Sequence, residues 1–301
     1  MHLSSHNWMR QEPIETTLAR LSRLGFKSIE ISGEPEKYDP KHVNELLDRY
    51  NMKCWGSVTL MLGERNMQSA NEATRAMSVQ YVKDCIQLVS YLNGQILTLV
   101  PGTVGKIAPD STPENEWAWL VEGTKEVYEF AEAKGVRVGI EPLNRFESYL
   151  ITRAEQALAL CDAVGPNLGV VLDAVHIKIE ESNLYDAIRL VGKDKLVDVH
   201  VADNNRMPAG YGDYDWTEFV GVLEEIGYTG ALTAEFVAPV DRTPANKYPN
   251  ALETNFDGIE IDQEQLKFII DHGSSILTEE YYTWLYEQHA NTLLPLVDNV
   301  F

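Results

Sequence analysis

The chain is short of cysteine, of positive charge and of long apolar runs, and each shortage excludes something. Its 301 residues hold three cysteines, Cys54, Cys85 and Cys161. An odd, widely spaced set of thiols in apolar strand-like or helix-like patterns is no disulfide framework, so all three are expected to be buried and free in a reducing compartment. Lys and Arg number 25 against 46 Asp and Glu, a formal net charge of −21. That field repels phosphate backbones and anionic membranes, so neither nucleic acid nor a membrane is an expected partner. No uninterrupted run of about 18 apolar residues occurs. The opening MHLSSHNWMRQEP lacks the apolar region of a secretory signal, which makes the cytoplasm the expected location. No Pro/Gly/Ser linker or low-complexity tract divides the sequence.

What is present is an alternation of strand-like and helix-like segments, repeated eight times. The strands fall at about 2–8, 27–32, 53–59, 95–100, 137–141, 168–173, 196–202 and 231–236. Pro40 and Pro113 suit the first position of a helix, and Thr152 with Glu155 reads as a capping box. Eight such units with right-handed crossovers predict an α/β fold, a single parallel (β/α)8 TIM barrel over residues 1–240. Residues 241–301 then form a C-terminal extension that packs on the barrel or on a partner subunit.

Four of the strands end in an acid or a histidine. Glu141 closes RVGIE, Asp173 closes LGVVLD, His200 lies in LVDVHV and Glu235 follows ALTA. The carboxyl ends of barrel strands are where such enzymes gather their chemistry, and strands five to eight are neighbours. Each residue alone has a plainer explanation: an acid there can cap the next helix, and a histidine can be a hydrogen-bonded core residue. Together they do not, because three carboxylates converging in one barrel mouth repel unless a cation neutralises them. Glu141, Asp173, His200 and Glu235 are therefore the expected ligands of one divalent ion. An oxygen-rich, thiol-free set favours Mn²⁺, Mg²⁺, Co²⁺ or Fe²⁺ over a structural zinc.

The segments around these residues, IEPLNRFE (140–147), VLDAVHIKIEE (171–181), VHVADNNR (199–206) and AEF (234–236), resemble the xylose-isomerase-like sugar isomerase and epimerase superfamily. The likeness is strongest to its ketose 3-epimerases and runs from about residue 25 to 240. It implies that the four residues above bind Mn²⁺ or a similar ion. It implies also that Glu147, His176 and Arg206 bind sugar hydroxyls, and that Glu141 and Glu235 are the proton-transfer pair on opposite faces of the substrate. Chemistry supports the pattern. Removing a proton next to a carbonyl leaves an enediolate whose charge a divalent ion can share, and a carboxylate using one oxygen as ligand keeps the other as a base. The plainer roles are a loop-anchoring ion pair for Arg206, a local hydrogen bond for Glu147 and support of a ligand for His176.

Two features depart from a simple epimerase. The first strand brings His6, Trp8 and Arg10 towards the mouth, with His6 a possible catalytic acid and Trp8 a substrate contact. A tail of some 65 residues follows Glu235, with Tyr281, Tyr282, Trp284, Leu285 and Tyr286 either packed as the eighth helix or forming a subunit interface. HLSSHNWMR, GSVTLMLGERN and VAPVDRTPANKYPN resemble, within the superfamily, the barrel subunits of bacterial C-glycoside deglycosidases. That resemblance implies a smaller β-rich partner subunit and cleavage of the carbon–carbon bond of a 3-oxo-C-glycoside, with His6 or His176 protonating the departing aglycone. The alternative is a ketose 3-epimerase or sugar isomerase acting on a small-molecule sugar, as a homo-oligomer. A phosphodiesterase of the AP-endonuclease kind needs a His-rich multi-metal cluster and a basic groove, and neither is visible. A non-catalytic binding subunit would be expected to have lost ligands or the acid pair.

Overall fold

Eight short strands, each boxed between turn residues and a helix, form one parallel sheet: β1 (His2–Ser5), β2 (Ser28–Ser32), β3 (Lys53–Val58), β4 (Ile96–Leu99), β5 (Arg137–Ile140), β6 (Gly169–Asp173), β7 (Leu196–Val201) and β8 (Ala231–Ala234). The computed structural model describes residues 1–241, 243, 244, 247, 248, 250–255 and 274–301. Hydrogen-bonded neighbours run β1-β8-β7-β6-β5-β4-β3-β2. The remaining seam is stitched by Lys27 N donating to Leu3 O at 2.9 Å and by a single parallel bridge of His6 with Glu30, so the (β/α)8 barrel is nearly closed. All eight predicted strands are there, within three residues at either end.

Among the described residues the helices are α1 (Ile14–Arg23), α2 (Pro40–Arg49), α3 (Glu72–Tyr91), α4 (Pro113–Lys134), α5 (Ala154–Val164), α6 (Ala174–Glu180), α7 (Leu184–Lys195), α8 (Trp216–Glu225) and α9 (Glu279–Leu293). Pro40 and Pro113 do open α2 and α4, behind the side-chain caps Asp39 and Thr112. The capping box falls one residue later than expected. Gln156, not Glu155, turns its carboxamide oxygen back to accept from Thr152 N at 2.8 Å and Arg153 N at 3.0 Å, while Glu155 is spent on an exposed pair with Arg153. The sequence pattern gave no hint of α6, which is split from α7 by the Glu181–Asn183 turn.

Helix α9 takes the eighth-helix place after β8. Tyr281, Tyr282, Leu285 and Tyr286 are buried, and Tyr286 Oη lies 2.7 Å from Ser5 Oγ on β1. Arg10 and Arg20 each sit 5.0 Å over the Tyr282 ring. Trp284 is half-buried against Tyr211, Tyr248 and Tyr281. Of the tail segment VAPVDRTPANKYPN, Arg242, Ala245, Asn246 and Pro249 lie outside the described residues, as do residues 256–273. The three cysteines are buried and free. Among the described residues, no helix is long and apolar enough to cross a membrane.

The barrel interior has two tiers. Trp55, Ile96, Val171, Val197 and Ala231, from five strands, form a separate apolar cluster. Above it, towards the carboxyl ends, the interior is polar: Glu30, Thr98, Asp198, His200 and Thr233 are all fully buried. A bulge in β7 builds this change. Pairing with β6 jumps from Val170–Leu196 to Val171–Asp198, which leaves Val197 as the extra residue. Consecutive residues of a regular strand face opposite sides. The bulge lets Val197 fill the apolar tier while its neighbour Asp198 still points inward with His200.

Candidate active site

The chain's four predicted ligands meet. Glu141 is the first residue after β5, its N–H bonded to Leu99 O at 3.0 Å; Asp173 ends β6; His200 is the penultimate residue of β7; and Glu235 follows β8, its N–H bonded to Val201 O at 3.0 Å. One side-chain ligand atom from each lies within 4.8 Å of the others, and all four residues are buried. Their order along the barrel follows from parallel neighbouring strands, whose ends share one rim.

The geometry inside the cluster is tight. His200 Nδ1 is hydrogen-bonded to Glu141 Oε1 at 3.0 Å. Glu235 Oε2 lies closer, 2.8 Å from the same nitrogen, but off that direction, and has no hydrogen-bond partner among the described residues. Asp173 does two things at once. Its Oδ1 accepts from His176 N at 2.8 Å and so caps α6, while its Oδ2 takes Arg206 Nη1 at 2.7 Å. The helix-cap reading of this acid is therefore also realised, with the other oxygen still turned to the site.

The charges reflect the crowding. Burial opposes ionisation of Asp173, but the Arg206 guanidinium outweighs it and holds the carboxyl well below its ordinary range. Burial raises Glu235 above its ordinary value, against the pull of His200 and Arg206. Burial also disfavours a charged His200, yet the carboxylates of Glu141, Glu235 and Glu30 push its pKa well above the ordinary value. The cluster thus demands positive charge, and its orphaned Glu235 oxygen has room for a bond. Three carboxylates and an imidazole are a donor set that fits a divalent ion of the Mn²⁺ or Mg²⁺ kind.

Beside the cluster opens a cavity of about 430 Å³. Its polar wall is Glu141, Glu147, His176, Arg206 and Glu235, and its apolar wall includes Trp8, Leu60, Leu62, Val104 and Phe146. Asn144 arranges part of the polar wall: Nδ2 donates to Glu147 Oε1 and to His176 Nδ1, each at 2.8 Å. Because Nδ1 of His176 accepts, its Nε2, which lies 3.4 Å from Arg206 Nη2, is left to carry the ring proton. Arg206 itself adopts φ +60°, and Val237 N donates to its carbonyl at 2.8 Å, tying the loop after β7 to the chain after β8. His6 does not line the cavity. It is fully buried beneath it, Nε2 3.7 Å from Glu235 Oε2 and Nδ1 3.9 Å from Glu30 Oε2, with neither ring nitrogen hydrogen-bonded among the described residues.

Sequence reasoning missed Glu30, Asp198 and Asn144. Glu30 lies 3.3 Å and Asp198 3.6 Å from His200 Nε2. Burial opposes a charged Glu30, but His6 and His200 bring it down to about 2, whereas burial and the neighbouring Glu30 drive Asp198 well above its ordinary value. The available signal was an acid in the middle of an apolar strand, SIEIS and LVDVHV, where an acid is almost never fully buried unless paired.

Comparison with known proteins gives a consistent picture. A family model described as xylose isomerase-like TIM barrel matches residues 18–268. The D-psicose 3-epimerase of Ruminiclostridium cellulolyticum is 31% identical over 232 residues, 72% of this chain and 76% of that protein. The D-psicose 3-epimerase of Enterocloster bolteae is 36% identical over 226 residues, covering 72% and 74%. In fold, the crystal structure of a D-allulose 3-epimerase from Methylomonas sp. superposes with a TM-score of 0.81 at 21% identity, over 99% of this chain and 98% of that one.

Proposed function

This chain belongs to the xylose isomerase-like TIM-barrel family and is a homologue of ketose 3-epimerases, and from that premise we propose that it is a divalent-metal-dependent epimerase of a ketose at C3. The observation that carries the reading is that Glu141 and Glu235 belong to the four-residue ligand cluster and also line the cavity. Glu141, Asp173, His200 and Glu235 would hold the ion, with Mn²⁺ favoured and Co²⁺ or Mg²⁺ as alternatives. When bound, the ion supplies positive charge that makes the carbon beside the sugar's carbonyl more acidic.

The chain's own groups do the rest. One of Glu141 and Glu235 takes the proton from one face of C3, the electron pair moves into the carbonyl as an enediolate, and the other carboxyl returns a proton to the opposite face. Arg206, Glu147 and the Nε2–H of His176 hold the hydroxyls, so that the carbon stays between the two acids. The apolar wall of Leu60, Leu62 and Val104 limits water around the enediolate. His6, buried under Glu235, is the group placed to pass a proton to that carboxyl, and Trp8 closes the sugar's side of the cavity.

One observation favours a second reading, cleavage of a 3-oxo-C-glycoside with a smaller partner subunit. The apolar wall, with Phe146 71% exposed at its rim, offers more nonpolar surface than a free ketose can use. There the proton would leave C2, the electron pair would expel the aglycone carbon from C1, and His176 would protonate that carbon; His6, expected from the sequence as an alternative acid, is sealed below Glu235 and does not reach the cavity. Incubating the chain with fructose, Mn²⁺ and D₂O decides between them. Epimerisation with deuterium at C3 supports the epimerase. A chain inert to fructose that, in complex with a small β-rich partner, releases aglycone from a 3-oxo-C-glucoside but not from the unoxidised C-glucoside supports the lyase and overturns the first reading.

A further inference from the structure

We propose that Glu30 is a positioning residue of the ion site: it touches neither ion nor substrate, and it fixes which ring nitrogen of His200 faces the ligand carboxylates. The inference rests on the metal centre of the proposed function. His200 has two faces. Its Nδ1 looks up at Glu141 and Glu235, at 3.0 and 2.8 Å, and its Nε2 looks down at Glu30 Oε2, at 3.3 Å. Glu30 comes from β2, across the barrel from β7, and does not line the cavity.

Glu30 is itself held. Thr98 Oγ1 on β4 donates to its Oε1 at 2.6 Å, which leaves Oε2 without a hydrogen bond among the described residues and 3.3 Å from the underside of His200. Asp198 cannot easily take its place, because Thr233 Oγ1 already donates to the Asp198 oxygen nearest His200, at 2.8 Å, and that oxygen lies farther from Nε2, at 3.6 Å. A neutral imidazole carries one proton on one of two nitrogens. A carboxylate under Nε2 keeps the proton there, so the Nδ1 lone pair is offered to a cation and the ring is kept from turning over. The same oxygen lies 3.9 Å from His6 Nδ1, too far for a hydrogen bond, so its hold is on His200 alone.

The test is Mn²⁺ binding to the full chain, measured without substrate by the electron paramagnetic resonance signal of free Mn²⁺. Glu30→Ala should weaken binding by about 10- to 100-fold, the range for residues that orient a metal ligand. Glu30→Gln keeps an acceptor oxygen for Nε2–H while its amide turns to Thr98 Oγ1, and should recover most of that loss. A merely structural role predicts no such rescue, only losses that follow the unfolding temperature. If Glu30→Ala does not fold, Thr98→Val, which frees the carboxylate without removing it, should weaken binding in the same direction. Wild-type-like affinity in Glu30→Ala, or Glu30→Gln as weak as Glu30→Ala, overturns the role of Glu30 alone. A wild-type chain that takes up no Mn²⁺ overturns both this inference and the metal reading beneath it.

Discussion

At the scale of residues, the site is made of side chains with two jobs. Glu141 and Glu235 each combine a place in the ligand cluster with an exposed edge in the cavity. Glu141→Gln and Glu235→Gln should keep the wild-type circular dichroism spectrum but lose turnover by roughly 10²- to 10⁴-fold, the scale of acid–base catalysis. Near-normal turnover in either would show that the proton carrier is elsewhere. Arg206 likewise pairs with Asp173 through Nη1 and keeps the rest of its fork on the cavity wall. A lysine has one nitrogen for both positions, so Arg206→Lys should lower kcat/KM by about tenfold or more. The residues with two jobs were legible because acids and histidines recurred at strand ends. Glu30 and Asp198 were not read, because an acid within an apolar strand signals that it has some partner but not which one until the far wall of the barrel is known.

Strands and helices set the distances. Gly139 on β5 lies inside the barrel where an added Cβ would stand 2.7 Å from Val171 Cγ2 and 3.0 Å from Val197 Cβ. Both neighbours are β-branched and held in strands, so they cannot step aside. Gly139→Ala should cost about 1–3 kcal/mol in chemical denaturation, as overpacked cores do, and should weaken Mn²⁺ binding because Glu141 lies two residues on, just past the end of that strand. Unchanged stability would mean that the apolar tier is looser than its contacts indicate. Strand positions and the prolines at helix starts were readable from period and residue type. The β7 bulge was not, because nothing in LVDVHV marks Val197 as the extra residue; the register is decided by what β6 and β8 present on either side.

At the scale of the whole molecule, ion and pH both bear on stability. An ion that binds only the folded chain stabilises it by about 2.7 kcal/mol at 100 times its Kd, so saturating Mn²⁺ should raise Tm by several degrees and chelation should reverse it. A Tm indifferent to Mn²⁺ would speak against the cluster as an ion site. His289 on α9 is fully buried, its Nδ1 accepting from Ala209 N at 3.2 Å, and burial pushes its pKa from 6.5 to about 3. Below 6.5 the unfolded chain takes a proton that the folded chain refuses until about 3. Stability therefore falls as pH drops through 6.5 and levels off near 3, by about 2 kcal/mol between pH 7 and 5 from this residue. His289→Asn, which keeps an acceptor but cannot titrate, should flatten that slope in urea unfolding; an unchanged slope would assign it to other groups.

The family resemblance pointed to Glu147, His176 and Arg206, while by itself the sequence determined the barrel and the four residues at the ends of β5 to β8. Those follow from local pattern: a strand's period, a helix's start, and acids where the chain leaves a buried strand. Only the tertiary structure decided what stands beneath them. That Glu30 from β2 and Asp198 from β7 meet under His200, and that His6 is sealed below Glu235 rather than open to the cavity, depends on barrel closure and on one bulge. It is closure, not any property of a single strand, that brings residues from opposite walls within hydrogen-bond reach.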